Sequence, residues 1–135
     1  MILGQKGYRV TLVFEMRPSE RIVIDAATLD DLFKNLGHRQ AENFVSVAVE
    51  RISDTLAEVD ALVRQDRLAD IAPRAQYVCK QSVSIGLTSL ARVARDMGIA
   101  ARRDDMVAFR AVWERLVRIG DRSLAQVWEM PGLSL

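Results

Sequence analysis

The chain predicts an all-α fold: an antiparallel four-helix bundle with a short helix before it and a small N-terminal β-hairpin attached. Three observations carry this. Between residues 25 and 129 apolar side chains recur in steps of three and four, the period of a helix with one buried face. The breaks are short and polar or glycine-bearing, at Gly37, Gln65-Asp66-Arg67, Gly86 and Asp104-Asp105, and short connections make sequential helices antiparallel neighbours. The chain has 135 residues, half hydrophobic and 27% charged, which suits one globular domain with an ordinary core.

Residues 1–23 are read as an N-terminal arm or hairpin. Val10, Leu12, Phe14 and Met16 alternate with Arg9, Thr11, Val13 and Glu15, a period-two strand signal. Arg17-Pro18-Ser19-Glu20 is a turn, and Arg21-Ile22-Val23-Ile24 is a second short run. An extended arm fits the same residues. A hairpin needs the bundle or another copy of itself to pack on, because an isolated one is marginal in water.

The bundle is expected over residues 24–130. Asp25 to Leu36 forms the short first helix, with Asp25 or Thr28 as its cap, Leu29, Leu32, Phe33 and Leu36 facing inward, and Gly37 at its end. From Arg39 to Gln65 runs a long helix whose inner stripe is Phe44, Val45, Ala48, Ile52, Leu56, Val59, Leu62 and Val63. The central helix is placed at Ala72 to Leu87. Ala75, Val78, Cys79, Ser82 and Ile85 line one side of it. Pro73 sits in its first turn, where a missing N–H costs little, or kinks a helix already running from Arg67.

Leu87 to Arg103 follows, capped by Thr88 or Ser89. Leu87, Leu90, Ala91, Ala94, Met97 and Ala101 face inward, and Arg92, Arg95, Arg102 and Arg103 face outward. That basic face reads as a solvated helix side, or as a surface for phosphate or an acidic partner. Asp104-Asp105 caps a last helix from Met106 to Glu129, with Met106, Phe109, Val112, Trp113, Leu116, Val117, Gly120, Leu124 and Val127 inward. Residues 131–135 form a tail.

Composition excludes several classes. Net charge is +1, which gives no global attraction to nucleic acid or anionic lipid, and no nucleic-acid-binding motif is visible. One cysteine allows no internal disulfide and fits a reducing compartment. No apolar run approaches the ~18 residues of a membrane span, so a cytoplasmic protein is expected. There is no Gly-rich phosphate loop, no metal-ligand spacing and no serine or cysteine beside a histidine, so neither enzyme activity nor a cofactor is expected. Cys79 is reactive if exposed beside Lys80, or a buried structural thiol. His38, the one histidine, follows Gly37 at a helix start, an ordinary surface position; a phosphoacceptor or ligand role is the sharper alternative.

The stretch A-P-R-A-Q-Y-V-C-K-Q-S-V-S-I-G-L, Ala72 to Leu87, resembles the active helix of histidine phosphotransfer (HPt) domains, whose pattern is roughly A-H-x-L-K-G-S-x-x-x-L-G. Counting back from Ile85-Gly86, Ala75 matches the alanine and Val78 the apolar position. The phosphoacceptor histidine then falls on Gln76, the lysine on Cys79 and the glycine on Lys80. A second register puts the histidine on Tyr77 and the lysine on Lys80, but misplaces Gly86 by one and sets Gln76 where the alanine belongs. Neither register contains a histidine. The helix order and Asp-bearing turns match the family from Ile24 to Glu129, and the family's short first helix acts as a lid.

The resemblance implies a place in bacterial phosphorelay signalling, with receiver or kinase domains as partners. The departure alters the chemistry. A neutral imidazole offers a ring-nitrogen lone pair. A glutamine amide offers hydrogen bonds and no comparable nucleophile. A degenerate phosphoacceptor position at Gln76, within a docking face of Ala72, Gln76, Cys79, Lys80 and Val83, therefore implies a partner-binding protein that does not accept a phosphoryl group. The same residues also read as ordinary solvated side chains. Phosphotransfer through another acceptor such as His38, or a structural bundle dimerising through its N-terminal segment, are the remaining readings.

Overall fold

In the computed structural model, residues 21–130 are described. They form five helices: α1 (Ala26–Leu36), α2 (His38–Arg64), α3 (Leu68–Ser84), α4 (Thr88–Arg102) and α5 (Met106–Val127). No strand occurs among the described residues. The alternating run of the expected hairpin lies outside them, as does the tail at 131–135. The hairpin's second run, Arg21–Ile24, is described and is not a strand. It is a non-helical segment held on the start of α4: the Val23 N–H donates to Ser89 Oγ at 2.7 Å, and the Ser89 N–H donates to the Val23 carbonyl at 3.3 Å.

The long helices pack in series, α2 on α3, α3 on α4 and α4 on α5, and α1 packs on α2. Leu56 of α2 reaches α5 as well, since a Cβ placed on Gly120 would lie 3.6 Å from its Cδ1. The core they enclose includes Ile52, Val59, Ile71, Val78, Leu90, Met97, Phe109 and Leu116, all buried.

The caps explain the boundaries. Asp25 begins α1 by accepting from the Ala27 N–H at 3.1 Å, and Asp105 begins α5 by accepting from the Ala108 N–H at 3.0 Å. Neither Thr88 nor Ser89 caps α4, contrary to expectation; Leu87 is the capping position, with no side-chain bond. Ser89 is instead engaged by the segment before α1.

The start of the central helix at Ala72 gives way to the alternative of a helix already running from Arg67, and the inward assignments of Leu36, Phe44 and Val117 are corrected. Helix α3 starts at Leu68, so Pro73 is its sixth residue and lies inside the helix. The start moves because Leu68 and Ile71 are buried and extend the stripe Ala75, Val78, Ser82 backwards. Phe44 and Val117 are exposed, not core: each neighbours a buried stripe residue, Val45 and Leu116, and a step of one residue turns about 100° around a helix.

Gly86 sets how α1 sits on the bundle. Its φ is +78°, a region that favours glycine. Its carbonyl accepts the Asp25 N–H at 2.8 Å. A Cβ there would stand 2.7 Å from the Asp25 carbonyl oxygen, so the α3–α4 turn and the start of α1 meet backbone to backbone.

Candidate functional site: a basic groove between α3 and α4

Helix geometry groups the candidate residues. Gln76 and Lys80 are four apart and so lie about 6 Å apart along one side of α3. Both are exposed. On α4, Arg95 and Arg102 are seven apart, two turns along the same side, with Gly98 between them. Gly98 allows the helices to close: a Cβ there would lie 3.3 Å from Ala75 Cβ on α3 and 3.4 Å from an Arg102 guanidinium nitrogen. The Arg102 side chain therefore lies back along its own helix over Gly98.

Between these two rows runs an open groove of about 530 Å³, lined by Gln76, Cys79, Lys80, Ala94, Arg95, Gly98 and Arg102. A second depression of about 350 Å³ shares Cys79 and Arg95 with it and adds Val83, Arg92 and Asp25 among its lining residues. Cys79 is half-buried at the junction, so it is neither a sealed core thiol nor a fully open one.

The electrostatics are one-sided. Among the described residues, the larger groove has no carboxylate in its lining. Asp25, in the smaller one, is occupied by the Ala27 N–H and the Thr28 hydroxyl. Among the described residues, Lys80, Arg92, Arg95 and Arg102 make no ion pair, whereas Arg64, Arg67, Arg74 and Arg110 each hold a carboxylate. Three unneutralised cations thus share the larger groove with one exposed amide, and Arg92 adds a fourth along the smaller depression. Such a surface holds anions through charge-assisted hydrogen bonds. It contains no group of three or more metal-ligating side chains among the described residues.

Of the five residues assigned from sequence to the docking face, Gln76, Cys79 and Lys80 line the larger groove, and Cys79 and Val83 the smaller. Val83 is 59% exposed, an apolar contact at the edge. Ala72 is set apart: it lines neither depression and packs partly buried against the core. His38 also lies elsewhere, exposed at the start of α2, with Nε2 3.3 Å from Glu42 and its ring against Phe33. Arg95 and Arg102 were legible as part of a basic helix face with Arg92 and Arg103, but not as part of this site, and Gly98 was not singled out. The signal was their spacing of three and four around a glycine.

Comparison with solved structures bears on this arrangement. The chain superposes on the crystal structure of histidine-containing phosphotransfer protein B (HptB) from Pseudomonas aeruginosa PAO1 with a TM-score of 0.73, over 78% of this chain and 91% of that one. The fold is that of an HPt protein. Sequence identity is 16%, so the likeness is one of architecture. No protein-family model and no curated protein matches the chain. No helix among the described residues is long and apolar enough to cross a membrane.

Proposed function

We propose that this chain is an HPt-like module of two-component phosphorelay signalling, which docks receiver or kinase domains without accepting a phosphoryl group. The observation that carries the reading is Gln76, exposed on α3 in a groove with Lys80, Arg95 and Arg102, at the position the motif alignment gives to the phosphoacceptor histidine. The HPt fold supports the scaffold, and the neighbouring structure is named as a phosphotransfer protein.

The chemistry of docking follows from the groove. A receiver presents an acidic phosphorylation pocket with apolar side chains around it. Lys80 and the α4 arginines meet the acidic part, and Val83 meets the apolar rim. Gln76 donates and accepts hydrogen bonds there, but its nitrogen lone pair is delocalised into the amide and is not available for attack on phosphorus. The module binds and thereby blocks or redirects phosphoryl flow, in the cytoplasm where receivers act.

The test is a calorimetric titration of the full chain against receiver domains encoded by the same genome, with radiolabel transfer followed in parallel. Saturable binding to at least one receiver, with no label on the chain, is expected. No binding to any of them, or acid-labile label on the wild-type chain, refutes the reading.

A further inference from the structure

The two depressions carry positive charge on both walls. Lys80 comes from α3, and Arg92, Arg95 and Arg102 from α4; all are exposed, and none is engaged by a carboxylate among the described residues. Arg64 and Arg74, by contrast, are paired, with Asp60 at 2.8 Å and with Glu58 at 2.9 Å. Four unpaired cations thus line the two adjoining depressions, in a chain whose net charge is only +1.

Their donors suit a tetrahedral anion. Arg95 and Arg102 present planar guanidinium forks from one side of the groove, Lys80 an ammonium group from the other, and Gln76 a neutral amide N–H₂. A phosphoryl group carries about −1.5 to −2 charges and three acceptor oxygens, more than a single carboxylate offers. The glycine at position 98 leaves the groove floor low between the two arginines, where a side chain would meet Ala75 and the Arg102 guanidinium.

We infer that the groove reads phosphorylation state: it binds a receiver carrying its aspartyl phosphate in preference to the same receiver without it, with Arg95, Arg102 and Lys80 on the phosphoryl oxygens. This rests on receiver docking and adds the direction of its regulation. Because Gln76 cannot take the phosphoryl group, the phosphorylated partner is held and not discharged.

Two measurements test this. In the first, the ¹⁵N-labelled full chain is titrated with inorganic phosphate and, at matched ionic strength, with chloride. The Gln76 side-chain amide and the Arg95 and Arg102 Nε–H resonances should move with phosphate alone, and the Gln76 response should vanish in the Arg95→Gln/Arg102→Gln double variant. No phosphate-specific movement overturns the inference. In the second, a receiver that binds the chain is titrated with and without beryllofluoride as the stand-in for its phosphoryl group. The loaded form should bind about tenfold tighter, equivalent to about 1.4 kcal/mol. The preference should fall below about threefold in the double variant, and Lys80→Gln should reduce it in part. Equal affinity for the two forms overturns the inference while docking stands. Absence of binding in either form overturns both.

Discussion

Substituting Gly86 by alanine tests how α1 is fixed to the bundle. The φ of +78° is costly for any residue with a Cβ, by about 1–2 kcal/mol. The added Cβ would also stand 2.7 Å from the Asp25 carbonyl oxygen, closer than real Cβ atoms come to a neighbour. That oxygen belongs to backbone and cannot swing away, so the start of α1 must shift. The shift threatens the 2.8 Å bond from the Asp25 N–H to the Gly86 carbonyl, a loss of about 0.5–1.5 kcal/mol. Alanine returns about 0.4–1 kcal/mol by restricting the unfolded chain. The expected net loss is about 0.5–3 kcal/mol, or roughly 2–12 °C in Tm for a domain of this size. Urea unfolding gives the free energy, and amide hydrogen exchange locates it: Asp25 and Ala27 should lose protection. Gly37→Ala is the control. It also has positive φ, +83°, but nothing lies within 4 Å of the added Cβ, so Asp25 protection should be unchanged. A Gly86→Ala protein with wild-type stability and an undisturbed Asp25 amide would refute the backbone-to-backbone contact as the device that seats α1.

Three other outcomes are expected. Gln76→His should gain acid-labile radiolabel from a phosphorylated receiver while wild-type stays unlabelled, and its stability should remain within about 0.5 kcal/mol because the position is exposed. Phe109→Ala, at a fully buried site in the core, should cost about 3–5 kcal/mol by urea unfolding. Ser82→Ala should raise stability slightly, by up to about 1 kcal/mol, because the Ser82 hydroxyl is buried and without a hydrogen-bond partner among the described residues; a destabilisation on thermal melting would show that the hydroxyl is satisfied after all.

The helical bundle was legible because its signals are local. Asp25 and Asp105 act as caps, Gly37 and Gly86 take positive φ, and the buried side of α4 is the one its spacing indicates. The misreadings have physical causes too. Pro73 looks like a helix start because a proline inside a helix costs about 3 kcal/mol. Burying Leu68 and Ile71 yields about 1.5–3 kcal/mol each, enough to carry the helix through it. Phe44 was assigned inward on its apolar character, yet the observed stripe runs Ala41, Val45, Ala48, Ile52, Thr55, Val59, Val63 and leaves it one step out. The groove was the least legible feature, since it exists only where α3 and α4 face each other. Each helix displays half of it, Gln76 and Lys80 on one and Arg95 and Arg102 on the other. The small residues that set their separation, Ala75 and Gly98, have no chemistry of their own to draw notice.

The same geometry explains why folding leaves position 76 free to carry an amide. What holds α3 in the bundle is the row Leu68, Ile71, Ala75, Val78 and Ser82, all buried. Gln76 is one step from Ala75 and outside that row, exposed at the groove wall. Exposed helix positions of this kind typically tolerate exchange within about 0.5 kcal/mol. Folding therefore places no demand on whether an imidazole or an amide stands there. The cations across the groove are likewise on the surface, and their charge is retained without any neutralising partner among the described residues, an arrangement that folding does not require either. A core that fixes the helices and a groove that fixes only the chemistry are separable, and an exchange at position 76 would act on the second alone.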